Sequence, residues 1–527
     1  MSVHARVFKN SYRDSVELMR IAAELEGLAG VTRAGLVMAT RANCEVLAEA
    51  GLFVEAVRNA GPNDLVVAVA SDDPDAAATG LELAARRLAG TTDGPAATAT
   101  RTHWRTIAEG VADLGGADLA LISTPGAYAT AESLKALKRG LNVFLFSDNV
   151  PIEDEIELKT LAVERGLLLM GPDCGTAILD GVPLGFANAV RRGPIGLIGA
   201  SGTGLQQVSS LIDRAGSGVS QAIGVGGRDL DARVGGTMML AALRRLEADP
   251  ATAVIVLISK PPAIEVAERV LAAAAALATP VVVNFLGGDP AAVRARGLVP
   301  ATTFEAAATT AVALARGERV GDDGAAPTDA PLPAAAAAAI AALAPGQWRI
   351  RGLFAGGSLA GEAKLVLRAA LGADTATRHE ILDLGDDEYT VGRPHPMIDP
   401  RLRNERIVEV AADPSTAVIF LDVVLGFGSH EDPAGALVPA VREAQELARR
   451  AGRSLTVVAS VCGTDADPQG RSDQEAKLAA IGVLVAPSNA QAASLTAAIA
   501  AGAMDEAGAA TSSGSSAQPG RAAGAVI

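Results

Sequence analysis

Short apolar runs alternate with helical patterns along most of this 527-residue chain, and the alternation predicts an α/β protein. In the first 95 residues the alternating apolar and amphipathic stretches lie at 5–8, 15–28, 34–38, 64–70 and 75–88. We expect a small α/β domain over residues 1–95, with a ferredoxin-like arrangement as one option. Small and polar residues at 90–100 predict a link to the next domain.

Strand and helix patterns alternate strictly from about residue 107 to 192. Predicted strands lie at 119–123, 143–146 and 167–170, and predicted helices at 131–138 and 153–165. Such alternation builds a doubly wound parallel sheet whose ligand crevice lies at the carboxyl ends of the strands. Residues 100–192 are therefore predicted to form a Rossmann-like domain. The dinucleotide fingerprint GxGxxG is absent, which disfavours NAD as a ligand.

Two further strand-and-helix units follow, at residues 193–320 and 346–502. Apolar runs that predict their strands lie at 195–198, 222–225, 253–258, 280–285, 350–354, 417–421 and 456–460. Between the two units, residues 321–345 begin with a low-complexity Gly, Ala, Pro and Asp segment that predicts a linker. Residues 503–527 are small and polar and are predicted to be a disordered tail.

A glycine-rich turn follows the first strand of the 193–320 unit and has the layout of an anion site. The turn runs through Gly199, Ser201, Gly202, Thr203 and Gly204 into a helix predicted to start near Leu205. A helix start offers unpaired N–H groups and a positive dipole end, and the two hydroxyls add donors, so phosphate is the natural ligand. The competing explanation is structural, because any strand-to-helix turn favours small residues.

A second turn-rich stretch, GPDCG at 171–175, lies about thirty residues upstream. The runs GPDCGTAI and PIGLIGASGTG resemble the alpha subunit of succinyl-CoA synthetase, and the chain is more similar still to the FdrA family of synthetase-like proteins, from VFKNSYRDSVELM at 7–19 to VAPSNAQAA at 485–493. The resemblance implies a CoA-binding-type Rossmann-like domain at 100–192 followed by two synthetase-type flavodoxin-like domains. In such a fold each of the last two domains presents one helix N-terminus to a phosphoryl group.

Synthetases of this type carry a phosphorylated histidine, which this chain lacks at the matching place. The sequence has no histidine between His103 and His379, and it has no room for an ATP-grasp module. The FdrA resemblance implies instead a subunit of a carbamoyltransferase that moves a carbamoyl group between oxalurate and phosphate, giving oxamate and carbamoyl phosphate, in allantoin or purine breakdown. One alternative is an acyl-CoA synthetase component whose partner supplies the missing parts. The other is a non-catalytic scaffold that binds CoA or an acyl phosphate.

Three residues are candidates for catalysis. His395 lies in a proline-rich polar loop and His430 follows a glycine-rich turn, where each could transfer a proton, although a packing or capping role explains either one equally well. Cys174 lies in the GPDCG turn and could act as a nucleophile, although buried packing is the simpler explanation. A second set of ligand-binding residues is predicted beside His430, at Gly426, Gly428 and Ser429.

Composition narrows the class of protein. With 45 Lys and Arg against 60 Asp and Glu the net charge is -15, and no basic patch stands out, so nucleic acid is not an expected partner. No apolar run long enough to cross a membrane and no signal peptide is visible, so we expect a cytoplasmic protein. Three cysteines and five histidines without ligand spacing give no expected metal site.

The expected partners are a small-molecule substrate and other protein subunits, in an oligomer. Possible ligands are CoA, phosphate and carbamoyl phosphate.

Overall fold

A computed structural model describes residues 2–89, 104–320, 332–390 and 394–513, apart from Tyr12, Asp14, Arg41, Ala42, Glu45, Val46 and Glu49. These residues divide into two compact units, Met1–Gly116 with Asp387–Asp399, and Ala117–Asp386 with Pro400–Ile527. The predicted link at 90–100 and most of the low-complexity segment at 321–333 lie outside the described residues.

The first unit contains a three-stranded antiparallel sheet. Its elements are β1 (Ser2–Phe8), α1 (Ser15–Glu26), β2 (Val31–Met38), a 3-10 turn (Glu55–Val57), β3 (Leu65–Ser71), α2 (Pro74–Leu88), α3 (Ile107–Asp113) and a short helix at Asp387–Thr390. The strand order is β1-β3-β2. Strand β3 is buried along its whole length because one face packs on α1 and α2 and the other on a cluster that includes Leu47 and Leu52. The order of elements is that of the first part of a ferredoxin-like fold.

The second unit begins with a small parallel sheet. Strands β4 (Leu119–Ile122), β5 (Asn142–Leu145) and β6 (Leu169–Met170) are joined by helices α4 (Gly126–Lys138) and α5 (Ile152–Glu164). The order β4-β5-β6 with parallel pairing is that of half a doubly wound sheet. The predicted strand and helix alternation is confirmed here.

A seven-stranded sheet follows. It contains β7 (Thr176–Leu179), β8 (Val182–Gly185), β9 (Arg192–Gly199), α6 (Gly202–Arg214), β10 (Val219–Gly224), α7 (Thr237–Glu247), β11 (Val254–Ser259), α8 (Ile264–Ala275), β12 (Val281–Phe285), α9 (Pro290–Arg294), β13 (Val299–Pro300) and α10 (Phe304–Ala315). The order is β13-β12-β11-β9-β10-β7-β8. Its five parallel strands have the flavodoxin-like arrangement, and the antiparallel β7–β8 hairpin extends one edge.

The last sheet has five parallel strands. It contains α11 (Leu332–Ala342), β14 (Arg349–Phe354), α12 (Gly357–Leu371), a short helix at Ala373–Ala376, β15 (Glu380–Asp383), α13 (Arg401–Ala412), β16 (Thr416–Val424), α14 (Pro433–Arg450), β17 (Thr456–Cys462), α15 (Arg471–Ala479), β18 (Leu484–Ala486) and α16 (Asn489–Ser513). The order β15-β14-β16-β17-β18 is again flavodoxin-like, so both predicted flavodoxin-like domains are confirmed.

Three boundaries differ from the sequence prediction. The first flavodoxin-like sheet includes the β7–β8 hairpin and therefore begins at Thr176, before residue 193. Helix α11 occupies part of the predicted linker at 321–345, and α16 continues to Ser513, past residue 503, where the tail was predicted to begin. Alanine-rich sequence accounts for both helices, since alanine has the highest helix propensity of all residues.

Candidate functional site

The site is built at the start of α6, where the glycine-rich turn was predicted to hold an anion. Strand β9 ends at Gly199, and Ser201 is the N-cap of α6, with its Oγ accepting a hydrogen bond from Gly204 N at 3.0 Å. The helix begins at Gly202, three residues before the predicted start. The N–H groups of Gly202 and Thr203 have no acceptor in the part of the chain that the structure describes. They are donors that an anion would satisfy.

The GPDCG turn lies directly against this helix start. A Cβ added to Gly202 would lie 3.6 Å from Thr176 Oγ1 and 3.9 Å from Gly175 Cα. Thr176 is 1% exposed, and its hydroxyl has no hydrogen-bond partner among the described residues. The turn after β10 also joins them, because a Cβ on Gly224 would collide with Thr176 O. Three glycine-rich turns thus meet, with an unsatisfied hydroxyl beside the two N–H groups.

The start of α12 faces the start of α6. Ser201 Oγ donates a 2.6 Å hydrogen bond to Ser358 Oγ in the first turn of α12. A Cβ added to the N-cap Gly356 would lie 2.9 Å from Thr203 Cγ2. Both helices start at the carboxyl edge of their sheet next to the point where the strand order reverses, which is where α/β proteins bind ligands. The sequence prediction paired these two units, and the structure brings their helix starts together.

Carboxylates of the chain itself occupy the α12 side. Asp422 in β16 accepts hydrogen bonds from Ala355 N at 2.8 Å and Gly356 N at 2.7 Å, the residues that lead into α12. Arg403 donates to Asp422 Oδ1 at 2.9 Å, and both side chains are buried. Burial raises the pKa of Asp422 against the opposing effect of Arg403 and of the two N–H donors. Asp383 approaches Gly357 at the same helix start, and burial also raises its pKa.

The two helix starts are therefore not equivalent. The α12 start faces the carboxylates of Asp422 and Asp383, whereas the α6 start has the Thr176 hydroxyl beside it. The first-turn N–H groups of both helices, those of Gly357 and Ser358 as well as those of Gly202 and Thr203, have no acceptor among the described residues. A positive helix end is stabilised by nearby negative charge, so α6 is the end that an external anion would complement.

Cys174 lies at this junction but is unsuited to act as a nucleophile. It is 3% exposed, and its Sγ donates to Thr176 O at 3.6 Å. Burial raises the pKa of its thiol to about 12. A thiol with such a pKa is protonated at neutral pH, and the thiolate is the nucleophilic form. Packing of the glycine-rich turns is the role that this geometry supports.

The two candidate histidines make local hydrogen bonds. His430 Nδ1 accepts from Asp432 N at 3.0 Å, just before α14, and His430 is half-buried. His395 Nδ1 accepts from Met397 N at 3.2 Å and belongs to the first compact unit, within Asp387–Asp399. Of the three predicted catalytic residues, Cys174 lies at the α6 start, His430 lies just before α14, and His395 belongs to the other compact unit.

The loop with Gly426, Gly428 and Ser429 packs against the protein through its backbone and its glycines. Gly426 N donates to Gln469 Oε1 at 3.2 Å, and the next N–H, that of Phe427, donates to Ala187 O at 3.1 Å. Gly426 has φ 129°, and a Cβ on Gly428 would lie 2.8 Å from the Phe186 ring. These glycines permit close packing against the chain before β9, whereas the buried Ser429 Oγ has no hydrogen-bond partner among the described residues, so ligand binding by this loop stays a prediction.

Sequence reasoning missed four residues of the site, Thr176, Asp383, Arg403 and Asp422. Asp422 carried a usable signal, because a charged residue inside the apolar run AVIFLDVVL must have a buried partner. Thr176 gave none, since a threonine after a turn is common. Within the described residues, no group of three or more His, Cys, Asp or Glu side chains is placed to hold a metal ion. No helix of the described chain is both long and apolar enough to cross a membrane.

Three protein families match parts of the chain. The CoA-ligase family matches residues 353–499, the CoA binding domain matches residues 190–287, and the family described as "AllF, heavy metal-associated domain" matches residues 1–103. The CoA binding match lies within the first flavodoxin-like unit, whereas the sequence analysis placed the CoA-binding-type domain at 100–192. The predicted CoA-ligase-like character is confirmed, and CoA is supported as a ligand.

Individual relatives agree with the family matches. The ADP-forming succinate–CoA ligase subunit alpha-2 of Trichomonas vaginalis is 32% identical over 149 residues, which are 27% of this chain and 47% of that protein. The sulfoacetate-CoA ligase subunit SauD of Bilophila wadsworthia is 28% identical over 33% of this chain and 61% of its own length. This chain thus spans about half the length of these ligase subunits. The solved ATP citrate lyase of Methanothrix soehngenii aligns with 77% of this chain and 86% of its own at 13% identity, with a TM-score of 0.36.

One relative aligns with almost the whole chain. It is the uncharacterized protein YahF of Escherichia coli, which is 43% identical over 505 residues. The alignment covers 93% of this chain and 97% of YahF. The matches favour the CoA-ligase alternative over the carbamoyltransferase hypothesis, for which they give no support. The chain belongs to the same family as YahF, with an AllF-type N-terminal domain followed by CoA-binding and CoA-ligase domains.

Proposed function

We propose that this chain is a CoA-ligase-type subunit that transfers an acyl group between phosphate and CoA, with the phosphoryl end of the acyl phosphate held at the start of α6. The observation that carries the proposal is the unsatisfied Thr176 hydroxyl beside the N–H groups of Gly202 and Thr203. Together they offer three donors to phosphate oxygens, and CoA, an acyl phosphate and inorganic phosphate all carry such oxygens.

The residues of the chain would act mainly by electrostatic stabilisation. In the transfer, the thiolate sulfur bonds to the acyl carbon and the carbon–oxygen bond to phosphate breaks, so the electron pair leaves with phosphate. Donors already aimed at those oxygens stabilise the charge that develops on them. The chain has no histidine from 104 to 378, so we propose that phosphate is held there without a covalent bond. A partner subunit would supply the nucleotide-dependent step.

The ligand would enter by separating the two helix starts. Ser201, Thr203 and Ser358 are only 7%, 8% and 5% exposed in the closed arrangement. An anion that replaces the Ser201–Ser358 contact would face α6 on one side and the α12 carboxylates on the other. The ion pair of Asp422 with Arg403 at 2.9 Å partly neutralises that carboxylate and would lessen the repulsion.

Titration calorimetry on the full chain tests this proposal. Inorganic phosphate, CoA and carbamoyl phosphate are titrated separately into the native protein, Thr176→Val and Thr496→Val. Thr496 provides a matched control because it is also fully buried with an unpartnered hydroxyl, but it lies in α16. We expect Thr176→Val to weaken phosphate and CoA binding about tenfold, the loss of one hydrogen bond to a charged group, and Thr496→Val to leave it unchanged. Equal binding by all three proteins would contradict the proposal.

Carbamoyl transfer is a second candidate, favoured by one observation. Without a histidine near α6, the site suits an acyl phosphate that is bound but not made through a phosphorylated side chain. Carbamoyl phosphate is such a compound. Binding of carbamoyl phosphate that depends on Thr176, with no binding of CoA, would favour this candidate over the first.

A further inference from the structure

A cleft of about 990 Å³ lies between the two flavodoxin-like domains, at the opposite end of α6 from the proposed site. Its walls come from the chain around 178–191, the end of α6, and the turn after β17. The lining includes the guanidinium groups of Arg191, Arg214 and Arg471 and the ring of Phe427. Neither the family matches nor the proposed function assigns it a ligand.

Two of the three arginines already have carboxylate partners. Arg191 Nε bonds to Asp213 Oδ1 at 2.8 Å, and Arg471 bonds to Glu475 Oε1 at 2.7 Å. Asp465, also in the lining, lies 3.8 Å from Arg471. The positive charges of Arg191 and Arg471 are therefore largely neutralised within the chain.

Arg214 is different. It is half-buried, and its one hydrogen bond among the described residues goes to a carbonyl, Pro487 O, at 2.7 Å. It forms no ion pair in the described part of the chain. Burial and the charge of Arg471 lower the pKa of Arg214, against smaller opposing effects of Glu475, Cys462 and Glu305. A partly buried cation with no carboxylate at ion-pair distance is costly, and an anion in the cleft would relieve that cost.

The position of Arg214 in the last turn of α6 offers a purely structural explanation. A cation at a helix C-terminus is stabilised by the negative dipole end. The guanidinium, however, bonds to the chain before α16 rather than to a carbonyl of α6, and it faces the cleft. The dipole alone does not account for a second cation, Arg471, beside it.

The side chain of Phe427 adds an apolar, flat surface to the cleft wall. Its ring is 54% exposed although Phe427 N is fixed by a 3.1 Å hydrogen bond to Ala187 O. An exposed ring on an anchored backbone in a cleft wall is suited to stack on a flat group. The cleft volume is within the range of sites for small organic ligands.

We infer that this cleft binds a nucleoside phosphate, with its phosphate on Arg214 and its base against Phe427. Two kinds of ligand carry a phosphate joined to a nucleoside in this way, a free nucleotide and CoA through its nucleotide part. The inference stands on the cleft alone and does not depend on the proposed reaction at α6.

Titration of the full chain with AMP, adenosine and inorganic phosphate tests the inference, with Arg214→Gln, Phe427→Ala and Arg449→Gln as variants. Arg449 is a matched control because it is exposed and paired with Glu446 outside the cleft. We expect AMP to bind more tightly than either fragment, about tenfold weaker binding in Arg214→Gln and a smaller loss in Phe427→Ala, and no change in Arg449→Gln. Because Phe427 is exposed, its variant should fold even if Arg214→Gln does not.

Competition by CoA identifies the source of the nucleotide. Displacement of AMP by CoA in the native protein would assign the cleft to CoA, and its failure would assign it to a free nucleotide. AMP binding that is absent, or that is equal in the native protein and both cleft variants, would overturn the inference. Loss of AMP binding in Thr176→Val but not in Arg214→Gln would place the ligand at the α6 start instead.

Discussion

Ser201 Oγ and Ser358 Oγ are joined by a 2.6 Å hydrogen bond across 157 positions of sequence. The bond links the N-cap of α6 to the first turn of α12, so it ties one flavodoxin-like domain to the other where their positive helix ends meet. Two like dipole ends repel unless negative charge lies near them, and Asp422 and Asp383 supply it on the α12 side.

Removal of this bond should loosen the domain contact. Ser358→Ala deletes the acceptor and leaves the N-cap bond of Ser201 to Gly204 intact, so we expect a loss of about 1 kcal/mol in the free energy of unfolding. Chemical denaturation measures it. Ser494→Ala is the control, because among the described residues the Ser494 hydroxyl bonds only to Ala490 O within its own helix. An equal loss of unfolding free energy in both variants would show that the bond between the domains stabilises the protein no more than a bond within one helix.

Two glycines in helix interiors should respond oppositely to alanine. A Cβ added to Gly361 in α12 would meet no atom of the described residues within 4 Å, so Gly361→Ala should stabilise the protein by about 1 kcal/mol through helix propensity. At Gly204 a Cβ would collide with Ser201 Oγ and lie 2.9 Å from Ile258 Cγ2, so Gly204→Ala should destabilise by about 1–3 kcal/mol. Thermal denaturation of the two variants checks the signs. Stabilisation by both would mean that the packing around the α6 start is looser than described.

Glu362 predicts a pH dependence of stability. It is fully buried in α12, accepts hydrogen bonds from Phe304 N at 2.6 Å and Asn489 Nδ2 at 2.8 Å, and burial raises its pKa from 4.5 to about 7. The folded protein holds a proton that the unfolded chain has lost between these pH values. The contribution of Glu362 to the free energy of unfolding is complete below pH 4.5. It falls by about 3 kcal/mol as the pH rises from 4.5 through 7.

Denaturation midpoints between pH 5 and 8 measure this slope. Glu362→Gln should flatten it, whereas Glu446→Gln, at an exposed site where Arg449 and Arg450 lower the pKa to about 2, should leave it unchanged over this range. A slope that survives in Glu362→Gln would assign the proton to another group.

The cysteines should differ in reactivity. With a thiol pKa of about 12 and 3% exposure, Cys174 should resist alkylation by iodoacetamide in the native protein at pH 8, and Cys462 should resist as well. Cys44 is half-buried and should react first. Peptide mapping by mass spectrometry measures each site. Rapid labelling of Cys174 would restore it as a candidate nucleophile.

The pattern of apolar residues was sufficient to predict strands that are buried on both faces. The apolar run at 417–421 lies within β16, Thr416–Val424, because helices cover both faces of a parallel strand and demand a continuous apolar sequence. The β7–β8 hairpin had a local signal that the sequence prediction did not use, because Asp180 and Gly181 form its turn at positive φ between the apolar runs TAIL and VPL, and Asp-Gly is typical of such turns.

The site was only half predictable for a related reason. A glycine-rich turn after a strand predicts a helix start near a ligand, and the start of α6 is where it was expected. The same kind of turn precedes α12, but that helix start faces Asp422, which is 66 positions away from Gly356. Such pairings arise from the tertiary fold, and no local pattern around the turn records them.

The Ser201–Ser358 contact has a consequence for assembly. Because the two helix starts belong to one covalent chain, they meet at an effective concentration set by the connecting residues and not by the amount of protein in solution. A site divided between separate subunits would dissociate on dilution, as mass action requires. In this protein the paired helix starts should persist at any dilution, which leaves only the addition of further partners dependent on concentration.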